Sequence, residues 1–270
     1  MSPAPVGVDA TTIDPANPYA VPVRASGRTG GARVRRYAAM PVALVLTCVL
    51  LYLWVGTKNL DSIERRVLDA EVIRAAVVQH LKLVAVSTAI VVAVAIPLGI
   101  VATRAFARWF APVIIGMANV GQAVPSLGVL VLLAILWGVG FRYAVIALVL
   151  YAFLPVLRNT MAGLRQVDPF VVEAGRGQGM TRLGVLLRIE LPLAVPVILA
   201  GVRTALVINV GTATIAVLTN AGGLGEVIYA GIVQGRTTVL IAGSVMTAVL
   251  ALGVDYVAGI IEEVLSPRGL

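Results

Sequence analysis

Long apolar runs without charge constrain this chain more than any other feature. The stretches 37–57, 83–103 and 109–138 contain no Asp, Glu, Lys or Arg. As helices rising about 1.5 Å per residue, each is long enough to cross the ~30 Å hydrocarbon core of a bilayer. Three further runs, 143–161, 192–218 and 238–260, carry one to a few polar interruptions each. With 59% hydrophobic and 13% charged residues in 270 and a mean hydropathy of +0.98, the chain lies outside the soluble globular range. The fold expected is an all-α integral membrane domain over 37–270 with about six transmembrane helices.

The net charge of +8 does not point to nucleic acid. The Lys and Arg residues are spread between apolar blocks and form no basic patch interleaved with aromatics. Their pattern fits the setting of membrane topology. Arg24, Arg28, Arg33, Arg35 and Arg36 precede the first run; Arg104, Arg108, Arg158, Arg165, Arg176, Arg182, Arg188 and Arg268 follow from it on the same side. Lys58, Arg65, Arg66, Arg74, Lys82, Arg142 and Arg236 fall on the other side, several offset by acids. Both termini are therefore expected in the cytoplasm. Residues 1–36, rich in Pro, Gly, Ser and Thr, are expected to form a disordered tail. The charged segment 58–82 reads as an outside loop with a short amphipathic helix.

Polar residues inside the runs cost energy in lipid and are informative for that reason. Asn119, Gln122 and Ser126 recur at i, i+3 and i+7 beside Pro125, one face of a kinked third helix. The fifth helix carries Ala205, Asn209, Thr212, Ala216 and Thr219 on one face. Two readings stand side by side: close helix packing through small and hydroxyl residues, or a translocation path lined by both stripes. Gly222 and Gly223, in a glycine-rich outside segment, mark a place for a gate or re-entrant bend. Arg203 and Asp255 are an intramembrane cation and anion placed to pair, structurally or as part of transport chemistry. Cys48 reads as a packing thiol and His80 as an interfacial side chain; one Cys and one His make no metal cluster.

The chain shows no energy source. Apart from Asp255 the runs hold no carboxylate for an ion relay, and neither Lys58 nor Lys82 lies in a GxxxxGK[ST] phosphate loop. No nucleophile–base constellation suggests an enzyme. What remains is the polar, glycine-punctuated segment 164–191. Asp168 and Pro169 open a short helix, glycines at 175, 177 and 179 break it, and Thr181 caps a second. Two short helices joined by glycines make a knob suited to docking a soluble partner.

Here the residues carry a resemblance. Glu173, Ala174 and Gly175, followed by Gly179, Ile189, Leu191 and Pro192 at their spacing, resemble the EAA loop of permease subunits of binding-protein-dependent ABC importers. The family pattern has alanine where this chain has Gly175. GQAVPSLGVL at 121–130, the stretch 164–205 and GTATIAVLTNAGGLGEVIYAGI at 211–232 resemble the osmoprotectant branch. The resemblance implies a type I ABC importer permease fold whose coupling loop seats in a dimer of ABC ATPase subunits. ATP and Mg would belong to those partners, and this chain would bind no cofactor. It further implies a separate extracytoplasmic substrate-binding protein, a second permease copy or sister permease, a lipid environment, and the plasma membrane of a bacterium. The expected cargo is a quaternary amine such as glycine betaine, choline, carnitine or proline betaine. Methionine, another small amino acid or an anion is the alternative, and a self-sufficient channel or ion-coupled carrier is the reading from another class.

Overall fold

The computed structural model describes residues 30–107 and 109–266, the first eight of these by backbone alone. Every regular element among them is helical. The order is α1 (Gly30–Gly56), α2 (Ser62–Val67), α3 (Ala70–Thr103), α4 (Ala111–Ala123), α5 (Ser126–Trp137), α6 (Phe141–Gln166), α7 (Pro169–Gly177), α8 (Arg182–Val185), α9 (Leu191–Ala213), α10 (Gly225–Val233) and α11 (Thr237–Leu265). Five helical runs are long and apolar enough to span a bilayer, and a sixth is available if the bent pair α4–α5 counts as one span. The chain divides by its contacts into Met1–Met40 and Pro41–Leu270. The second unit holds everything from the middle of α1 onwards.

α3, α6 and α9 pack around one another, α4 and α5 lie on α6, and α10 and α11 pack together with α11 against α9. The buried stripe of α3 shows why it sits at the centre. Ala76, His80, Leu83, Ser87, Val91, Ala95, Gly99 and Ala102 recur every three or four residues and are buried along most of its length. In lipid no hydrophobic force separates helix from solvent, so small residues that allow close backbone approach decide which helices meet. Gly201 of α9 does this against α6: a Cβ there would stand 2.5 Å from Asn159 Cβ and 3.0 Å from the Pro155 carbonyl. Two layers of aliphatic core fill the trio, one around Leu83, Leu130, Leu148 and Val210, the other around Val91, Val156, Leu157 and Ala205.

Several expectations are corrected. α3 is 34 residues long, about 51 Å at the helical rise, so the expected outside loop 58–82 is mostly the projecting start of this helix, with α2 as a separate short piece. The third crossing, 109–138, is two helices meeting at 91°. Pro125 supplies no N–H and caps α5 in an extended conformation, so the kink becomes a corner. Ser126 therefore lies on α5 and shares no helix face with Asn119 and Gln122. The helix of the fourth crossing, α6, runs beyond 143–161 at both ends. The expected tail 1–36 overlaps the start of α1 at Gly30; residues 1–29, Arg108 and Arg268 lie outside the described residues.

Candidate functional site

The segment between α6 and α9 is built by local rules. Asp168 accepts the Phe170 N–H at 2.8 Å and Pro169 occupies the first turn of α7. The helix runs through Gly175 and ends in a Schellman turn: Gly179 N–H donates to Arg176 O at 2.9 Å and Met180 N–H to Gly175 O at 3.2 Å. Gly179 sits at φ +82° with nothing near its missing Cβ, so backbone conformation alone requires glycine there. Thr181 then caps α8, accepting the Gly184 N–H at 3.1 Å.

Only Gly179 of the three glycines breaks the helix. Gly175 is inside α7 and buried, because a Cβ there would meet Ile189 Cδ1 at 2.5 Å. Nor is the second short helix separate: α8 passes through a π-helical turn, Leu186–Glu190, directly into α9. The knob is thus one short helix set on the extended base of a spanning helix. Its outer surface is apolar, with Phe170 79%, Leu183 62% and Leu187 54% exposed. Ala174 is exposed beside them, and Ile189, Leu191 and Pro192 are half-buried at the base.

The edge of α7 next to that surface is charged. Glu173 and Arg176 face a cleft of about 310 Å³ whose other walls include Arg104, Arg165 and Glu190. Arg104, immediately after α3, grips both carboxylate oxygens of Glu190. Glu190 is 7% exposed, so this pair pins the π turn to the end of α3. A π turn carries a wide, poorly packed helical loop and is frequent at functional sites. Glu173 has no ion pair among the described residues.

The polar residues of the spanning helices are placed differently from one another. Asn119 is exposed and accepts from Arg158 Nη2 at 2.7 Å; Gln122 donates to the Tyr151 carbonyl at 2.8 Å. Both bind α4 to α6. Asn209 is wholly buried and donates to Ser87 Oγ at 3.0 Å and Thr88 Oγ1 at 2.9 Å, between α3 and α9. No hydrogen bond links Gln122 with Asn209 among the described residues. Thr212 is half-buried. Thr219 is buried, and its carbonyl accepts the Gly140 N–H at 2.5 Å, tying the turn before α6 to the end of the α9 run. The structure brings Arg203 and Asp255 together, Nε to Oδ1 at 2.5 Å, with Glu262 3.5 Å from the same guanidinium.

The glycine-rich segment before α10 is held by Gln79 and His80 of α3. Asn220, Gly222 and Gly223 all have positive φ, at 54°, 81° and 98°. Gln79 donates to Ala221 O at 3.1 Å. His80 is fully buried, contrary to its expected interfacial place. It lies 3.0 Å from Val210 O through Nε2, and its Nδ1 accepts the Leu224 N–H at 3.3 Å. Since a carbonyl only accepts, Nε2 carries the proton and the ring is neutral in this arrangement. His80 was legible as the one histidine of the chain; Ser87 and Thr88 as adjacent hydroxyls in an apolar run; Arg104 and Glu190 had no local signal of their pairing. Cys48, expected to be packed, is exposed.

Residues 95–268 match the family of binding-protein-dependent transport system inner membrane components. The chain is 40% identical over 192 residues to the choline transport system permease protein OpuBB of Bacillus subtilis (strain 168), covering 71% of this chain and 88% of that one. It is 38% identical over 224 residues to the osmoprotectant import permease protein OsmY of Salmonella typhimurium, covering 83% and 94%. The MetNI methionine ABC transporter in an inward-facing conformation shares the fold, with a TM-score of 0.64 at 21% identity, over 72% of this chain and 96% of that one. A match of this extent to the family and to its relatives assigns a transport role for small polar solutes in the inner membrane, with ATP hydrolysis on a partner subunit. The chain belongs to the binding-protein-dependent transport system inner membrane components, the multi-pass permease subunits of ABC importers.

Proposed function

We propose that this chain imports a quaternary-amine osmoprotectant of the glycine betaine, choline or carnitine type, delivered by a separate extracytoplasmic binding protein and driven by a pair of ATPase subunits. The cargo rests on the two relatives described above, a choline transport system permease and an osmoprotectant import permease. Likeness to a methionine transporter at 21% identity speaks for the fold and not for the solute.

One observation carries the drive: the knob of α7, α8 and the π turn has an exposed apolar face, and its second half runs without a break into α9. Phe170, Leu183 and Leu187 offer a docking surface, Glu173 stands at its edge, and Gly175 locks on Ile189. When two ATPases close on ATP they displace α7. The displacement passes through the π turn into α9, and Arg104 carries it to α3. Both termini and this segment lie on the cytoplasmic side, following the charge excess there. The path forms where the exposed faces of α4, α5 and α9, with Asn119, Pro125, Ser126 and Thr212, meet a second permease copy. The segment at Gly222 and Gly223 closes its outer end. Selection of the trimethylammonium group belongs to the binding protein, where an aromatic cage can hold it.

The test has two arms. Glu173→Ala and Gly179→Ala are assayed for co-purification of the ATPase and for substrate-stimulated turnover; both are expected to fall, and wild-type coupling in both variants overturns the docking assignment. Uptake of labelled glycine betaine, choline, carnitine and methionine is then compared in osmotically stressed cells. Uptake of methionine alone overturns the cargo while leaving the docking assignment in place.

A further inference from the structure

α1 and α11 touch at one level and part at another. Leu44 Cδ1 lies 3.8 Å from where Gly253 would carry a Cβ, so the helices meet there. Further along α1, towards Gly56, a wedge of about 740 Å³ opens, walled by Leu51 and Val55 on one side and Met246 on the other, with Leu68 at its end. This end of the bundle is opposite to α7, since α3 runs from α2 beside the wedge to Arg104 beside the knob.

In a bilayer such a wedge has to be filled. An apolar cavity offers water too few partners, and an empty one forfeits the dispersion contacts of its whole lining. The remaining surface of α1 is open to hydrocarbon, with Val45 63% and Leu50 56% exposed. An acyl chain therefore has free access. The end of the wedge where α1 stops is lined by Lys58 and Arg65. Lys58 Nζ sits 4.9 Å over the Trp54 ring, an aromatic–cation pair of the kind found at headgroup level. Arg65 spends only its Nε, on the Leu60 carbonyl at 3.1 Å. The neighbouring acids are engaged elsewhere: Asp61 with Arg236 at 2.6 Å, and Glu64 with the Asp61 N–H at 3.1 Å. Neither Lys58 nor Arg65 has an ion-pair partner among the described residues.

We propose that the wedge between α1 and α11 binds an anionic phospholipid, one acyl chain lying along Leu51, Val55 and Met246 and its phosphate held by Lys58 and Arg65. The apolar length selects a lipid over a soluble anion, and the two cations select an anionic headgroup over a zwitterionic one. By the topology proposed above, the site is in the outer leaflet. The proposal stands whatever α7 docks.

The experiment uses the full chain with Trp109→Phe and Trp137→Phe, which leaves Trp54 as the reporter because the chain has three tryptophans. It is reconstituted in phosphatidylcholine vesicles containing a rising fraction of brominated phosphatidylglycerol or brominated phosphatidylcholine. Half-quenching of Trp54 is expected at an at least ~three-fold lower fraction of the glycerol lipid, in keeping with two cations facing an anionic headgroup. Lys58→Gln with Arg65→Gln, both surface changes, is expected to bring the two lipids level. Native mass spectrometry of the purified protein should show phosphatidylglycerol retained by the wild type and lost from that double variant. Equal quenching by both lipids in the wild type, or a preference that survives the double variant, overturns the proposal. Protection of Trp54, which lies under Lys58 at the mouth of the wedge, from both lipids overturns it too.

Discussion

Replacing Gly175 by alanine restores the residue of the EAA pattern at a position where this chain has removed it, and the structure sets the expected consequence. The new methyl would stand 2.5 Å from Ile189 Cδ1, with Met180 Sδ at 3.4 Å and Val185 Cγ2 at 3.6 Å. Carbon pairs rest at about 3.5–4.0 Å, so the Ile189 terminal methyl has to move by ~1 Å. It is the far end of a flexible side chain, and such a rotation costs about 0.5–1.5 kcal/mol. Alanine in a helix interior is better than glycine by about 1 kcal/mol. The two nearly cancel, and Gly175→Ala alone should change stability by no more than ~1 kcal/mol. Ile189→Val alone deletes the opposing methyl and should cost about 0.5–1.5 kcal/mol. In the double variant the alanine methyl occupies the vacated space, which removes both penalties and gives a favourable coupling of ~1 kcal/mol. The assay is thermal unfolding of the four proteins in detergent, run beside co-purification of the ATPase. Additivity within ~0.3 kcal/mol would refute the claim that these two positions interlock. So would a loss beyond ~3 kcal/mol for Gly175→Ala, because it would mean that backbone and not a side-chain end blocks the site.

Arg203→Met leaves Asp255 without its bidentate partner between α9 and α11. A loss of ~1–3 kcal/mol is expected, smaller than for a fully buried pair because both side chains are partly exposed. Arg203→Met with Asp255→Leu should recover at least half of the lost thermal midpoint, and a double variant worse than the single would contradict a structural pair. His80→Phe strands the Leu224 N–H and removes a donor from the Val210 carbonyl, and a buried amide left unpaired costs ~1–3 kcal/mol. Hydrogen exchange of the amides around 220–225 should quicken with little change in α6; unaltered exchange would mean that His80 does not hold that segment.

The spanning helices were legible because lipid makes an uncharged run of sufficient length nearly unambiguous. Helix ends in the knob were legible too, since the Asp168 cap, Pro169 and Thr181 act within a single turn. The misreadings were of longer range. Pro125 announced a bend but not its 91° size, which depends on how α4 and α5 each lie against α6. Gly175 and Gly179 look alike in sequence, yet one meets Ile189 and the other adopts positive φ. The polar stripes showed period and not direction: Asn209 turns to Ser87 and Thr88, and Gln122 to a carbonyl of α6.

By itself the sequence determined that this chain is an all-helical membrane protein, where its apolar runs lie, and which short segment carries the EAA pattern. Those are properties of runs and of single turns, decided by solvent and by local hydrogen bonding. The tertiary structure decided what those pieces touch. Arg104 meets Glu190, 86 positions away, and His80 meets Leu224, 144 positions away. Neither contact has a local cause, because side chains so far apart in the chain are neighbours only after α3, α6 and α9 have packed. That packing joins the knob at α7 to the glycine-rich segment at the other end of the bundle.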